Sequence, residues 1–194
     1  MSEKIYQLGA IGLCDTPGIG GDIIGLGQTT PGENFSKVDH VFIVTKSGTI
    51  NVAEITEAQG EGIITRPLNV YASRITAGIV RVANPKMMPD GCFAPEQIDI
   101  VVGAARDCIG QKYGFLWFVA CGWDWATTWA TFGRVKCEYF RRQWTVREKL
   151  GCSQLVAKAY SRILYAFLGK RWQVVEPDDI DDNIKSKPME WELV

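Results

Sequence analysis

The stretch that most constrains this chain is residues 38–55, in which two runs dense in β-branched and aromatic residues, 38–45 (VDHVFIVT) and 49–55 (TINVAEI), flank Lys46-Ser47-Gly48. That composition is one of paired strands, and the three residues between them read as a hairpin turn. A three-residue hairpin loop commonly ends in the left-handed conformation, which glycine adopts without steric penalty, and Gly48 stands at that place. The register so defined sets Thr45 opposite Thr49 and His40 opposite Glu54. Further short runs at 62–65 (GIIT) and 78–82 (GIVRV) extend the hairpin into an antiparallel sheet. Residues 8–37, rich in glycine and turn formers with a strand-like run at Asp22-Ile23-Ile24, read as loop, strand, loop.

The second half of the chain changes period. Pro95 is placed like a first-turn proline with Glu96 beside it, predicting a helix to about Cys108 that stops at Gly110. Residues 113–144 carry most of the tryptophans and read as helical, with Trp117, Trp123, Trp125 and Trp129 assigned to a core in preference to a lipid or substrate platform. From Gly151 a second helix follows, because Leu155, Val156, Ala159, Tyr160, Ile163, Leu164 and Phe167 recur at helical spacing. Cys152 lies in its first turn, on the same inward stripe. Around Pro177 a turn caps a further short helix, and the acidic cluster of Glu176, Asp178 and Asp179 reads as a solvated terminus and not as a metal site. Strands followed by helices point to an α+β class, and 194 residues suit a single domain, with 113–144 as an insertion.

Composition excludes more than it suggests. Lysine plus arginine (21) balances aspartate plus glutamate (22), so the molecule as a whole offers no strong field to nucleic acid or to an anionic membrane. Residues 115–123 are apolar but too short to span a bilayer, and no transmembrane segment is expected. The first residues lack a secretory pattern, giving an expectation of cytoplasmic synthesis, with any export by a route that needs no signal peptide. Six cysteines at wide spacings, without a Cys-x-x-Cys pair, suggest neither a zinc site nor a disulfide framework. Residues 25–28 lack the lysine and hydroxyl residue of a phosphate loop, and the carboxylates show no metal-binding spacing, so no metal or organic cofactor is expected.

Chemistry then concentrates on few residues. A cysteine in a first helical turn meets unpaired N–H groups and the positive end of the helix dipole, which favour a thiolate and can also hold an oxyanion. The chain has one histidine, so an imidazole general base must be His40. In the hairpin register above, Glu54 faces it and is the candidate to orient the ring. Each residue also has an ordinary structural role open to it: a strand histidine, a small apolar cysteine, an exposed strand glutamate.

The succession Gly21-Asp22-Ile23-Ile24, His40-Val41-Phe42-Ile43-Val44, Val52-Ala53-Glu54 and residues 62–68 (GIITRPL) resembles the GD-hydrophobic pair, HVGIV, VIEA and GV…PL elements of NlpC-like peptidases. In ordinary members the cysteine helix comes first. Here Cys152-Ser153-Gln154-Leu155-Val156 comes last, before a Pro-Asp-Asp turn, and Tyr113-Gly114-Phe115 follows Gly110; this order is similar to the circularly permuted YiiX-like papain-fold amidases, distant relatives of lecithin:retinol acyltransferase. The resemblance implies a permuted papain-like fold, Cys152 as nucleophile, His40 as base and Glu54 as third member. It implies a peptide or peptidoglycan fragment as substrate, with a lipid acyl substrate or an inactive binding module as alternatives; the tryptophan-rich segment has no counterpart in the family's pattern and is open to a role as a lid, a specificity wall, or a partner or membrane surface. Phe42 replaces the family's glycine, which predicts a narrower cleft beside the base.

Overall fold

A computed structural model describes residues 4–15, 38–89, 91–132, 139–140 and 149–194. The strand-like run 22–24, the Gly21-Asp22 element and Trp144 lie outside the described residues.

Strands β1 (Ile11–Cys14), β2 (His40–Lys46), β3 (Glu54–Gln59) and β4 (Gly62–Pro67) lead to a short helix α1 (Ala72–Thr76) and strand β5 (Val80–Pro85). Helix α2 (Pro95–Arg106) follows, then β6 (Lys112–Tyr113), α3 (Phe115–Ala130), β7 (Lys149–Leu150), α4 (Cys152–Ser161), α5 (Pro177–Ser186) and β8 (Trp191–Leu193). Six strands form one sheet in the order β4-β3-β2-β1-β5-β8, antiparallel at every pairing. The class is therefore mixed α+β, as the sequence pattern suggested. Strand β1 and strand β8 were not anticipated; the first is only four residues long and the second three, too short for periodicity to mark them.

Strand β2 reads as a continuous apolar run because it is buried on both sides. On one face Val41 and Ile43, with Ile11 and Leu13, meet Ile98 and Val101 of α2, Leu155 and Val156 of α4, and Ile180 of α5. On the other, Phe42 and Val44 pack with Ile55, Leu68, Tyr71 and Val82. Gly12 is what admits Phe42: it stands opposite in the β1–β2 register, and a Cβ there would come within 2.0 Å of the Phe42 ring.

The hairpin departs from the predicted register. Gly48 does not close a tight turn; its N–H and carbonyl pair with Tyr6 in the N-terminal segment. The chain turns later, with the N–H groups of Val52 and Ala53 bonded to the Thr49 carbonyl, and β3 begins at Glu54. Ile43 consequently faces Thr56 and Phe42 faces Glu57, while Glu54 faces Lys46. Thr45 meets Thr56 through a hydroxyl pair of 3.0 Å, not Thr49. A longer loop replaces the local three-residue one, and the backbone of residue 48 is satisfied instead by Tyr6, in an isolated bridge outside the named strands.

The helices follow the sequence more closely. Helix α2 starts at Pro95 and ends at Arg106, and Gly110 takes a left-handed φ of +84° just beyond. Helix α4 starts at Cys152 but stops at Ser161, short of the expected stripe. There Leu164, at φ +61°, ends it with a paired closure: its N–H bonds the Ser161 carbonyl and the Tyr165 N–H bonds that of Tyr160. Leu164 is thereby thrown into solvent, while Phe167 returns to the core. The acidic cluster near Pro177 is corrected as well. Asp179 is buried, accepts the Glu176 N–H at 2.9 Å and pairs with Lys170 at 2.6 Å, so it caps α5 and is not a solvated end. Asp181, also buried, pairs with Arg81 and Lys185.

Candidate active site

The tip of α4 is fixed by its own third residue. Gln154 accepts the Gly151 N–H at 2.9 Å and donates to the Gln173 carbonyl at 2.9 Å, while Ser153 donates to the Val175 carbonyl at 2.7 Å. Just upstream, β7 pairs with β6, and the Gly114 N–H bonds the Leu150 carbonyl at 3.1 Å. A Cβ at Gly114 would lie 3.1 Å from the Leu150 carbonyl carbon, a tight contact that glycine avoids where these two segments approach. Cys152 is held buried by both sides of this junction, in the first turn of a helix whose leading N–H groups have no partner within the helix.

His40 opens β2, and its ring donates a hydrogen bond to the Cys152 sulfur. The opposite side of the ring is taken by Glu57, whose Oε2 lies 2.9 Å from His40 Nε2; Nδ1 is the nitrogen left for the sulfur. The histidine side chain is 16% exposed and the glutamate 0%, so the open side of this row is at the histidine and the closed side at the carboxylate. Glu57 also accepts from the Tyr71 hydroxyl at 2.7 Å, from Gln59 Nε2 at 2.8 Å and from Arg66 at 3.3 Å. Burial works against this carboxylate, yet the hydrogen bonds from His40 and Tyr71, the His40 charge and Gln59 outweigh it and hold Glu57 below the usual carboxylate range. Burial likewise favours a neutral His40. The hydrogen bonds to Cys152 and Glu57, and the electrostatic interactions with both, prevail and raise it to about 10.

Two of the three residues singled out in the sequence are thus brought together, and the third is not. Glu54 forms an ion pair with Lys46 at 2.8 Å, both side chains well exposed, and Glu57 occupies the place expected of it. The cause is the longer turn: with Phe42 opposite Glu57, a residue two positions earlier on β2 becomes the diagonal neighbour of Glu57 on the same face. A signal for it was present. Residues 55–58 (ITEA) carry the carboxylate followed by alanine that the VIEA element has, which Ala53-Glu54-Ile55 does not. Tyr71, Gln59 and Arg66, the other partners of that carboxylate, had no sequence signal because they converge from the end of a 3-10 turn and from β3 and β4.

Phe42 does not wall a cleft as expected. It is wholly buried, seated over Gly12 and stacked on Tyr71 with ring centroids 5.0 Å apart, so it supports the layer that holds Glu57. Cys14 faces His40 across the β1–β2 ladder. Burial, together with the charges of Glu57, Asp39 and Cys152, pushes its thiol well up, which leaves it a protonated core residue. A cavity of about 300 Å³ lies at the opposite end of α4, between Ser161, Tyr165 and Trp172, away from the thiol.

Comparison with protein-family models and with curated proteins returns no match for this chain. Among the described residues no helix is long and apolar enough to cross a membrane.

Proposed function

We propose that the protein is a thiol-dependent hydrolase that cleaves an amide bond, in a peptide or peptidoglycan fragment, with the architecture of a circularly permuted NlpC-like papain fold. One observation carries this reading: the sole imidazole is clamped between a cysteine at a helix tip and a buried, fully bonded carboxylate. The chain order, base strand first and nucleophile helix last, agrees with the permuted arrangement. An imidazolium beside a thiol and the start of a helix are the two surroundings that favour a thiolate. In the proposed reaction the Cys152 sulfur attacks the carbonyl carbon, and first-turn N–H groups receive the charge that forms on its oxygen. His40 then gives its proton to the departing amine as the C–N bond breaks, leaving a thioester. Water, deprotonated by His40, attacks that thioester, and the acid leaves as sulfur regains its resting form. Glu57 keeps the ring's Nε2 proton in place throughout, so that Nδ1 is the nitrogen that exchanges protons.

Labelling with a limiting alkylating reagent, followed by peptide mapping, tests the proposal. Cys92 is exposed and serves as the internal reference. Cys152 is expected to react ahead of Cys92 at mildly acidic pH, and His40→Ala is expected to abolish that advantage. Reaction ordered by exposure alone, with Cys92 first at every pH, would instead make the fold a binding module.

A further inference from the structure

A carboxylate held by one hydrogen bond can still turn, because the last torsion of a glutamate is broad and its two oxygens are equivalent. At Glu57 the single oxygen Oε2 receives three donors: His40 Nε2 at 2.9 Å, the Tyr71 hydroxyl at 2.7 Å and Gln59 Nε2 at 2.8 Å. These donors differ in how firmly they are themselves fixed. Gln59 stands two residues further along β3, on the same face, and its amide ends a flexible, half-buried side chain. Arg66 lies 3.3 Å from the other oxygen and is 40% exposed. Tyr71, in contrast, is 6% exposed and closes the 3-10 turn Leu68–Tyr71. Its ring is stacked on Phe42 with 20° between the planes, and Phe42 is seated over Gly12. A column of packed groups from β1 through β2 to the start of α1 therefore locates this hydroxyl. Burial, with the electrostatic interactions of Cys14 and Glu57 adding to it, pushes the Tyr71 hydroxyl above the ordinary tyrosine range, so it stays protonated and a donor at neutral pH.

We infer that Tyr71 is a positioning residue of this site: its hydroxyl pins Glu57 Oε2 against His40 Nε2, and so holds the imidazole with Nδ1 toward the Cys152 sulfur. The purpose of that arrangement rests on the proposed thiol chemistry; its geometry does not. Tyr71 touches neither the sulfur nor a substrate and acts through Glu57 alone. Without the hydroxyl, Oε2 keeps only the flexible Gln59 amide beside the ring, and the ion pair with Arg66 draws the carboxylate toward the exposed guanidinium. His40 then loses the partner that orients it and holds its proton less tightly.

The chain's single histidine makes this measurable at one signal. In Tyr71→Phe, which keeps the ring and its stack on Phe42, the NMR titration midpoint of the His40 ring is expected to fall by about one unit or more toward the ordinary value, roughly a tenfold loss of proton affinity. Alkylation of Cys152 at mildly acidic pH is expected to slow about tenfold with it. Gln59→Leu also takes a donor from Oε2, but not the one fixed by packing, and its midpoint is expected to move less. Cooperative urea unfolding shows that each variant is folded. A Tyr71→Phe midpoint equal to the parent's, raised above it, or matched by that of Gln59→Leu would overturn the assignment. The ring titrates whether or not the thiol is reactive, so an unreactive Cys152 in the parent counts against the proposed function, while the midpoint still decides the role of Tyr71.

Discussion

Replacing Glu57 by glutamine removes a charge and almost nothing else. Oε2 accepts from His40, Tyr71 and Gln59, at 2.9, 2.7 and 2.8 Å, while among the described residues Oε1 meets Arg66 at 3.3 Å. The amide of Glu57→Gln therefore settles with its oxygen toward the three donors and its NH2 toward Arg66, whose side chain is 40% exposed and free to turn to water. All three bonds survive as neutral ones. A bond to a charged acceptor contributes about 1.5–3 kcal/mol and a neutral one about 1, so the expected loss of stability is about 2–3 kcal/mol, after allowing for the desolvation that the amide no longer suffers. The same change takes from His40 the charge of one of the two partners that raise it, and the imidazolium should give up its proton at lower pH than in the parent. If His40 is the base, turnover or selective Cys152 alkylation at mildly acidic pH should drop about 10²-fold or more. Glu54→Gln breaks an exposed pair with Lys46 and should change stability by less than about 1 kcal/mol, with the alkylation profile unmoved. Urea unfolding and pH-resolved alkylation of the two variants side by side give the answer. Equal damage from both, or an unchanged His40-dependent profile in Glu57→Gln, would show that the buried carboxylate is not what sets the imidazole.

His40 should also leave a signature in stability against pH. Because its folded value of about 10 lies above the ordinary 6.5, the stabilisation it contributes is fully present below 6.5 and is lost as pH rises through about 10. The gap in unfolding free energy between the parent and His40→Gln should accordingly narrow across that window; a gap that widens with pH contradicts the ion-paired site. Gly12→Ala would place a methyl 2.0 Å from the Phe42 ring, which is itself backed by Tyr71, and should cost about 3 kcal/mol or more by overpacking. Combining it with Phe42→Leu should recover part of that loss in denaturant melts, and strictly additive effects would show that the two residues do not share the space.

Much of the architecture follows from local patterns. The apolar run at residues 41–44, the proline that opens α2, and the 3.6-residue stripe after Gly151 each state their element in the residues themselves, because burial of one face is written as a period. Cys152 and His40 were legible for a related reason: the first is defined by its place in a helical turn, and the second is the chain's one imidazole. Glu57 was not, since a strand bearing glutamates at 54 and 57 leaves two candidates until its register is known. The exposure of Trp123 and Trp129 on α3, which the sequence pattern assigned to the core, was hidden similarly, tryptophans being suited equally to a core and to an exposed surface.

The sequence by itself determined the strands at His40, Gly62 and Val80, the helices that begin at Pro95 and at Cys152, and that a single histidine serves any imidazole chemistry. The tertiary structure alone decided the pairing of β2 with β3, hence that Glu57 and not Glu54 meets His40, and which side of α3 faces outward. The difference is one of range. Periodicity and capping are set by neighbours a few residues apart, whereas the register here accompanies a longer loop in which Tyr6 pairs with the backbone of Gly48, a bond between segments that no local pattern connects.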